Sequence, residues 1–188
     1  MDRKKIRESF GKNPIVAAIR NEEMLNIALK SSVSNIFVLN ADILNVGTII
    51  NRIKSSGKNA ILHIDLLEGL GRDNKAVDFI INNIQPDGII TTRTAQIKHL
   101  SDKTFVIQRI FMIDNQSFET GIKTADSLKP DMIELMPGIV PKVIAEFVKY
   151  TSVPIIAGGM VSTKEDVVAA LKAGAMAVST GKRELWDL

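Results

Sequence analysis

The chain has no cysteine and only two histidines, one tyrosine and one tryptophan. Without cysteine there are no disulfides and no thiolate metal sites. That fits a reducing compartment, and a cytoplasmic location is expected. Two histidines leave one conceivable metal set, His63 with Asp65 and Glu134, which is carboxylate-rich at best; neither a metal nor another cofactor is expected. With a single tyrosine and a single tryptophan, an RNA-binding sheet of the base-stacking kind is not expected. No apolar run approaches the ~20 residues that cross a bilayer. The basic start, Asp2-Arg3-Lys4-Lys5-Ile6-Arg7, leads into no apolar signal-peptide core. A G-x-G-x-x-G fingerprint is also missing after the first apolar run, which argues against a dinucleotide-binding open sheet.

What is present is ordinary for one globular domain: 188 residues, 45% apolar and 24% charged, with a net charge of +3. The domain is expected to span residues 1–188 without an internal boundary. Short apolar runs recur at 14–20, 36–39, 60–65, 88–91, 104–109, 132–136, 153–157 and 175–178. Being apolar almost throughout, they read as strands buried on both faces, in a parallel sheet covered by helices. Helical patterns follow at 22–30, 44–55, 115–128, 141–150 and 163–173. Ser162 or Thr163 is placed to cap the last of these and Gly174 to end it. Eight such units predict a compact (β/α)₈ TIM barrel, although this fold typically takes ~250 residues.

In this fold, the C-terminal strand ends carry the site. The seventh run ends in Ala157-Gly158-Gly159 and the eighth in Ser179-Thr180-Gly181. Two adjacent loops of small residues expose backbone N–H groups, the arrangement in which such barrels hold a phosphate after strands seven and eight. Gly158, Gly159, Ser179, Thr180 and Gly181 are therefore candidate phosphate ligands, with Lys182 and Arg183 adding positive charge. The plainer reading of the Gly-Gly pair is a tight turn.

The other strand ends bring Arg20, His63, Asp65, Arg93, Arg109 and Glu134 to the same face. Arginine holds an oxyanion and a carboxylate accepts from hydroxyls, so this set suits a small, anionic, hydroxylated ligand. Alternatively, these charges neutralise one another in a buried network. No strand contains a lysine for Schiff-base chemistry, and no Ser–His–Asp arrangement is readable. A proton-transfer pair of His63 with Asp65 or Glu134 stays open at this stage.

Five stretches together resemble the glycerol-3-phosphate-responsive antiterminators, the glycerol uptake operon regulatory proteins. They are His63-Ile64-Asp65-Leu66-Leu67-Glu68-Gly69, Gly88-Ile89-Ile90-Thr91-Thr92-Arg93, Gln108-Arg109-Ile110-Phe111-Met112-Ile113-Asp114, Asp131-Met132-Ile133-Glu134-Leu135-Met136-Pro137-Gly138 and Ala157-Gly158-Gly159. The resemblance implies a TIM barrel without established catalysis that senses glycerol 3-phosphate and acts on the leader mRNA of glycerol-utilisation genes. It also implies a phosphate held by Gly158, Gly159, Ser179, Thr180 and Gly181. Arg20, Asp65, Arg93, Arg109 and Glu134 would line the glycerol side.

The competing reading is a barrel enzyme, an isomerase, lyase or synthase of a small phosphorylated substrate, since this fold hosts many chemistries. A third is a regulator whose partner is a protein. Candidate RNA contacts are Lys4, Lys5 and Arg7, then Arg52, Lys54 and Lys58, then Lys98 and Lys103. A two-fold homodimer is the default assembly, because closed pairs are commonest.

Overall fold

The computed structural model describes residues 2–188. Eight parallel strands close a barrel: β1 (Ile15–Ile19), β2 (Asn35–Val38), β3 (Asn59–His63), β4 (Gly88–Thr91), β5 (Phe105–Phe111), β6 (Met132–Met136), β7 (Ile155–Gly158) and β8 (Ala177–Thr180). β8 pairs back onto β1, with Val16 opposite Ser179. Closure leaves the barrel without an edge, a separate two-stranded sheet pairs Ala41–Asp42 with Leu67–Glu68, and the TIM-barrel expectation is met.

Seven helices cross between successive strands: α2 (Glu22–Lys30), α3 (Val46–Ser55), α4 (Asn74–Phe79), α5 (Thr94–Leu100), α6 (Asn115–Leu128), α7 (Pro141–Val148) and α8 (Lys164–Lys172). Their starts are chemically marked. Asn21 caps α2, and Asp114 and Thr163 each form a capping box with the third helical residue. The eighth unit is cut short. A single 3₁₀ turn, Arg183–Leu185, replaces a helix, and Trp186 seals that sector, buried, with its indole N–H on the Thr180 carbonyl at 2.9 Å. Trimming of this kind fits a barrel into a short chain.

Strand alternation divides the core in two. Ile15, Ala17, Leu62, Ile89, Val106 and Ile133 face the helices. Val16, Phe37, Ile61, Ile90, Phe105, Ile107, Met132 and Ile156 fill the barrel. The helix before the first strand, α1 (Arg3–Lys12), belongs to the inner group through Ile6 and Phe10, so it plugs the N-terminal end of the barrel. Arg3 donates to the carbonyls of Ser101 and Thr104, and Arg7 pairs with Asp131 at 3.4 Å. α1, α4 and α5 carry too few periodic apolar residues to be read as helices from the sequence. Among the described residues, no helix is long and apolar enough to cross a membrane.

One local reading changes. The third strand ends at His63, and Ile64–Leu66 is a 3₁₀ turn rather than strand, which leaves Leu66 exposed. Gln108 is one residue from Arg109 on a strand, so it must face the other way. It lies outside the barrel, bonded to Thr124 of α6 at 3.0 Å.

Candidate functional site

Arg109 and Glu134 are register partners on β5 and β6, both facing into the barrel at its C-terminal end. Arg109 Nε donates to Glu134 Oε2 at 2.6 Å, with Arg109 7% and Glu134 1% exposed. The other carboxylate oxygen accepts from the Ser179 hydroxyl of β8 at 2.6 Å. β7 lies between these strands, and its residue at this level is Gly158, the register partner of Ser179. A Cβ at Gly158 would stand against Glu134 Oε1 and 2.6 Å from Ser179 Oγ. The missing side chain therefore opens the path along which Ser179 reaches Glu134.

Above this floor is a cavity of about 130 Å³ lined by Arg20, Arg109, Glu134, Met136, Gly159, Met160, Val161, Ser179, Thr180 and Gly181, among others. That is well below the roughly 300–1,000 Å³ of pockets for drug-sized ligands, so the site suits a small molecule. Arg109 spends only Nε on Glu134; among the described residues its two terminal nitrogens donate to no protein acceptor. The backbone N–H groups of Gly159, Met160, Val161 and Gly181 likewise find no protein acceptor. Gly159 has φ of +77°, a conformation that favours glycine. Thr180 is placed differently from the sequence reading. Its hydroxyl donates to the Val161 carbonyl at 2.8 Å and accepts from the Lys182 N–H at 3.0 Å. It ties the β7 and β8 loops together rather than presenting a free donor.

A second cluster lies at the ends of β3 and β4. Asp65 accepts from the Thr91 hydroxyl (2.9 Å), the Thr92 N–H (2.7 Å) and the Thr92 hydroxyl (2.9 Å), and Arg93 Nε lies 3.5 Å away. Burial raises the Asp65 carboxyl, but the bonds from Thr92 and Thr91 outweigh it and hold the group below the usual carboxylate range. His63 feels the charges of both Arg109 and Asp65. Burial first, then the Arg109 charge, lowers it to about 4, and its Nδ1 has no partner.

The fold thus gathers Arg20, Arg109, Glu134, Gly159, Ser179, Thr180 and Gly181 around the cavity. His63, Asp65 and Arg93 form a neighbouring cluster, and Gly158 forms part of the wall between Glu134 and Ser179. Sequence reasoning missed Met160, which lines the cavity beside Met136 at the end of β6; methionine in a loop gives no signal of such a role.

The state of His63 has a measurable consequence. Between pH 6.5 and 4 the unfolded chain takes up a proton that the folded chain refuses. Stability is therefore fully present above about pH 6.5 and is lost as pH falls toward 4, by about 3 kcal/mol in total from this group. Urea titrations of wild type and His63→Gln at pH 7 and pH 4.5 are expected to show a smaller pH loss in the variant. Equal losses would mean that His63 is not held neutral by burial.

Comparison with known proteins places this geometry. A model of the family described as glycerol-3-phosphate responsive antiterminator matches residues 15–186. The chain is 36% identical over 177 residues to the uncharacterized Escherichia coli protein YgcP, covering 94% of this chain and 93% of that protein. Among solved structures, it is similar to the glycerol uptake operon antiterminator regulatory protein of Listeria monocytogenes, with a TM-score of 0.88, 34% identity and coverage of 92% of this chain and 94% of that one. It is also similar to a glycerol uptake operon antiterminator-related protein of Thermotoga maritima, with a TM-score of 0.81, 30% identity and coverage of 93% and 98%. The chain belongs to the glycerol-3-phosphate-responsive antiterminator family.

Proposed function

We propose that this protein senses glycerol 3-phosphate in the cavity above Arg109 and Glu134, and through it controls binding to the leader mRNA of glycerol-utilisation genes in the cytosol. The observation that carries the reading is the buried Arg109, which lines the same small cavity as the free N–H groups of the β7 and β8 loops and whose terminal nitrogens donate to no protein acceptor among the described residues. Oriented N–H groups and a positive side chain are what a phosphate requires. In this arrangement the phosphate takes the N–H groups of Gly159, Met160 and Gly181, with Arg20 and Lys182 beside it. The glycerol hydroxyls accept from Arg109 and donate to Glu134.

An enzyme is disfavoured by the same geometry. Both oxygens of Glu134 are already bonded, and Asp65 accepts three hydrogen bonds that weaken it as a base. The neutral His63 does not line the cavity.

Calorimetry is expected to show binding of glycerol 3-phosphate that neither glycerol nor inorganic phosphate reproduces. A leader transcript is then expected to bind with an affinity that changes when the ligand is added. Turnover of a phosphorylated triose without ligand-dependent RNA binding would overturn the proposal. Gly159→Asp puts a carboxylate against the phosphate, and its Cβ falls 2.5 Å from Met136 Cε. Loss of detectable binding is expected while circular dichroism still reports a folded barrel; wild-type heats from that variant would remove the β7 loop from the site.

A further inference from the structure

Parallel strands put all the helix C-termini and αβ loops at the pole opposite the cavity, together with α1. The segments closing that pole (residues 2–14, 30–34, 53–58, 82–87, 98–104, 129–131, 149–154, 172–176 and 186–188) hold thirteen Lys and Arg against six Asp and Glu. That is +7, or +5 once Asp78 and Glu146, which pair with Lys103 and Lys149 at 2.7 Å each, are counted with them; the chain as a whole is +3, so the remainder, mouth included, is then −2. The helix macrodipole accounts for lysines in last turns, such as Lys30 and Lys172. It does not account for α1, where Lys4 and Lys5 occupy the first turn, the end at which cations are unfavourable. Their side chains are 85% and 82% exposed, and their carboxylate neighbours, Glu8 at 4.0 Å and Asp2 at 3.8 Å, are held loosely. Folding gives no reason for these two charges.

We propose that this pole is the surface that holds single-stranded RNA, by its phosphates, while the ligand occupies the opposite mouth. The proposal rests on the antitermination reading and assigns its missing surface. At the rim of the pole is a groove of about 500 Å³ lined by Lys129, Tyr150, Thr151 and Ser152, by Asp126, and by Arg7 with the Asp131 it pairs with at 3.4 Å. Tyr150, the only tyrosine, is 58% exposed and held edge-on by Phe118 at 6.2 Å. It offers one base-stacking face in the same groove as Lys129. Lys58 takes no part, being bound to the carbonyls of Ser31 and Val33, both at 2.7 Å. Opposite poles allow ligand and message to be bound at once.

The test uses the full chain with labelled polyuridine at low salt and with the leader transcript. Lys4→Glu/Lys5→Glu is expected to weaken both by at least about tenfold and to reduce the slope of log K against log salt by about 0.7 per lost contact. Tyr150→Ala is expected to weaken binding about tenfold with the slope unchanged. Charge reversal away from the pole, Lys123→Glu/Lys142→Glu, is expected to change neither, and calorimetric binding of glycerol 3-phosphate is expected to be wild-type in all variants. Unchanged RNA binding by Lys4→Glu/Lys5→Glu overturns the pole, and unchanged binding by Tyr150→Ala overturns the groove. If the wild-type chain binds no RNA, the antitermination reading itself falls, and this assignment with it.

Discussion

Arg109→Met is expected to destabilise the protein by about 3–5 kcal/mol and to abolish ligand binding. The estimate follows from what remains. Glu134, 1% exposed, keeps the Ser179 hydroxyl but loses the only cation that touches it among the described residues. Breaking a buried pair from one side leaves an uncompensated charge, and that costs far more than the pair contributes to stability. In a chain of this size the loss corresponds to a fall of roughly 10 °C in melting temperature. Adding Glu134→Gln removes the charge and is expected to recover most of the stability while leaving binding absent. Urea unfolding of the two variants with calorimetry on each checks this. A single variant within 1 kcal/mol of wild type would mean that the pair is solvated rather than buried.

The contrast between stability and binding in that pair shows how far the sequence could be read. Arg109 and Glu134 were legible as strand-end charges facing one mouth, because period-two alternation and the C-terminal face of a barrel leave them nowhere else. Mutual neutralisation was legible as the alternative reading, but this particular pair was not, since it depends on β5 and β6 pairing in a register that puts the two residues side by side. Gly158 shows the same limit. Its type is visible, but that its missing side chain lets Ser179 reach Glu134 depends on three strands arriving at one level. Thr180 was read as a ligand from its place in a loop of small residues with uncovered N–H groups; that its hydroxyl is engaged by the Val161 carbonyl and the Lys182 N–H depends on how the two loops meet. Helices with strong caps, such as Asn115–Leu128 behind Asp114, were read to their ends. Helix α1 was not, because only Ile6 and Phe10 of its ten residues are buried and the rest reads as a charged leader.

That overlooked helix gives the second large effect. Phe10→Ala is expected to cost about 3–5 kcal/mol, the range for removing a fully buried phenylalanine. Phe10 is 0% exposed, its ring stacked on Phe105 with centroids 6.2 Å apart and tilted against Phe37 at 6.2 Å. The space it would vacate is bounded by the strands of a closed barrel, which have no freedom to collapse inward, so most of the cavity should persist and its cost with it. Shortening Phe10 only to leucine is expected to recover more than half of the loss. Ligand binding is expected to remain at wild-type strength in both variants under conditions where they are folded, because the cavity above Arg109 is built from the opposite strand ends. A loss under about 1 kcal/mol would mean that α1 lies on the barrel without plugging it. A fall in glycerol 3-phosphate affinity in the folded variants would mean that the plug and the mouth communicate through the inner column of Ile107, Met132 and Ile156 that lies between them.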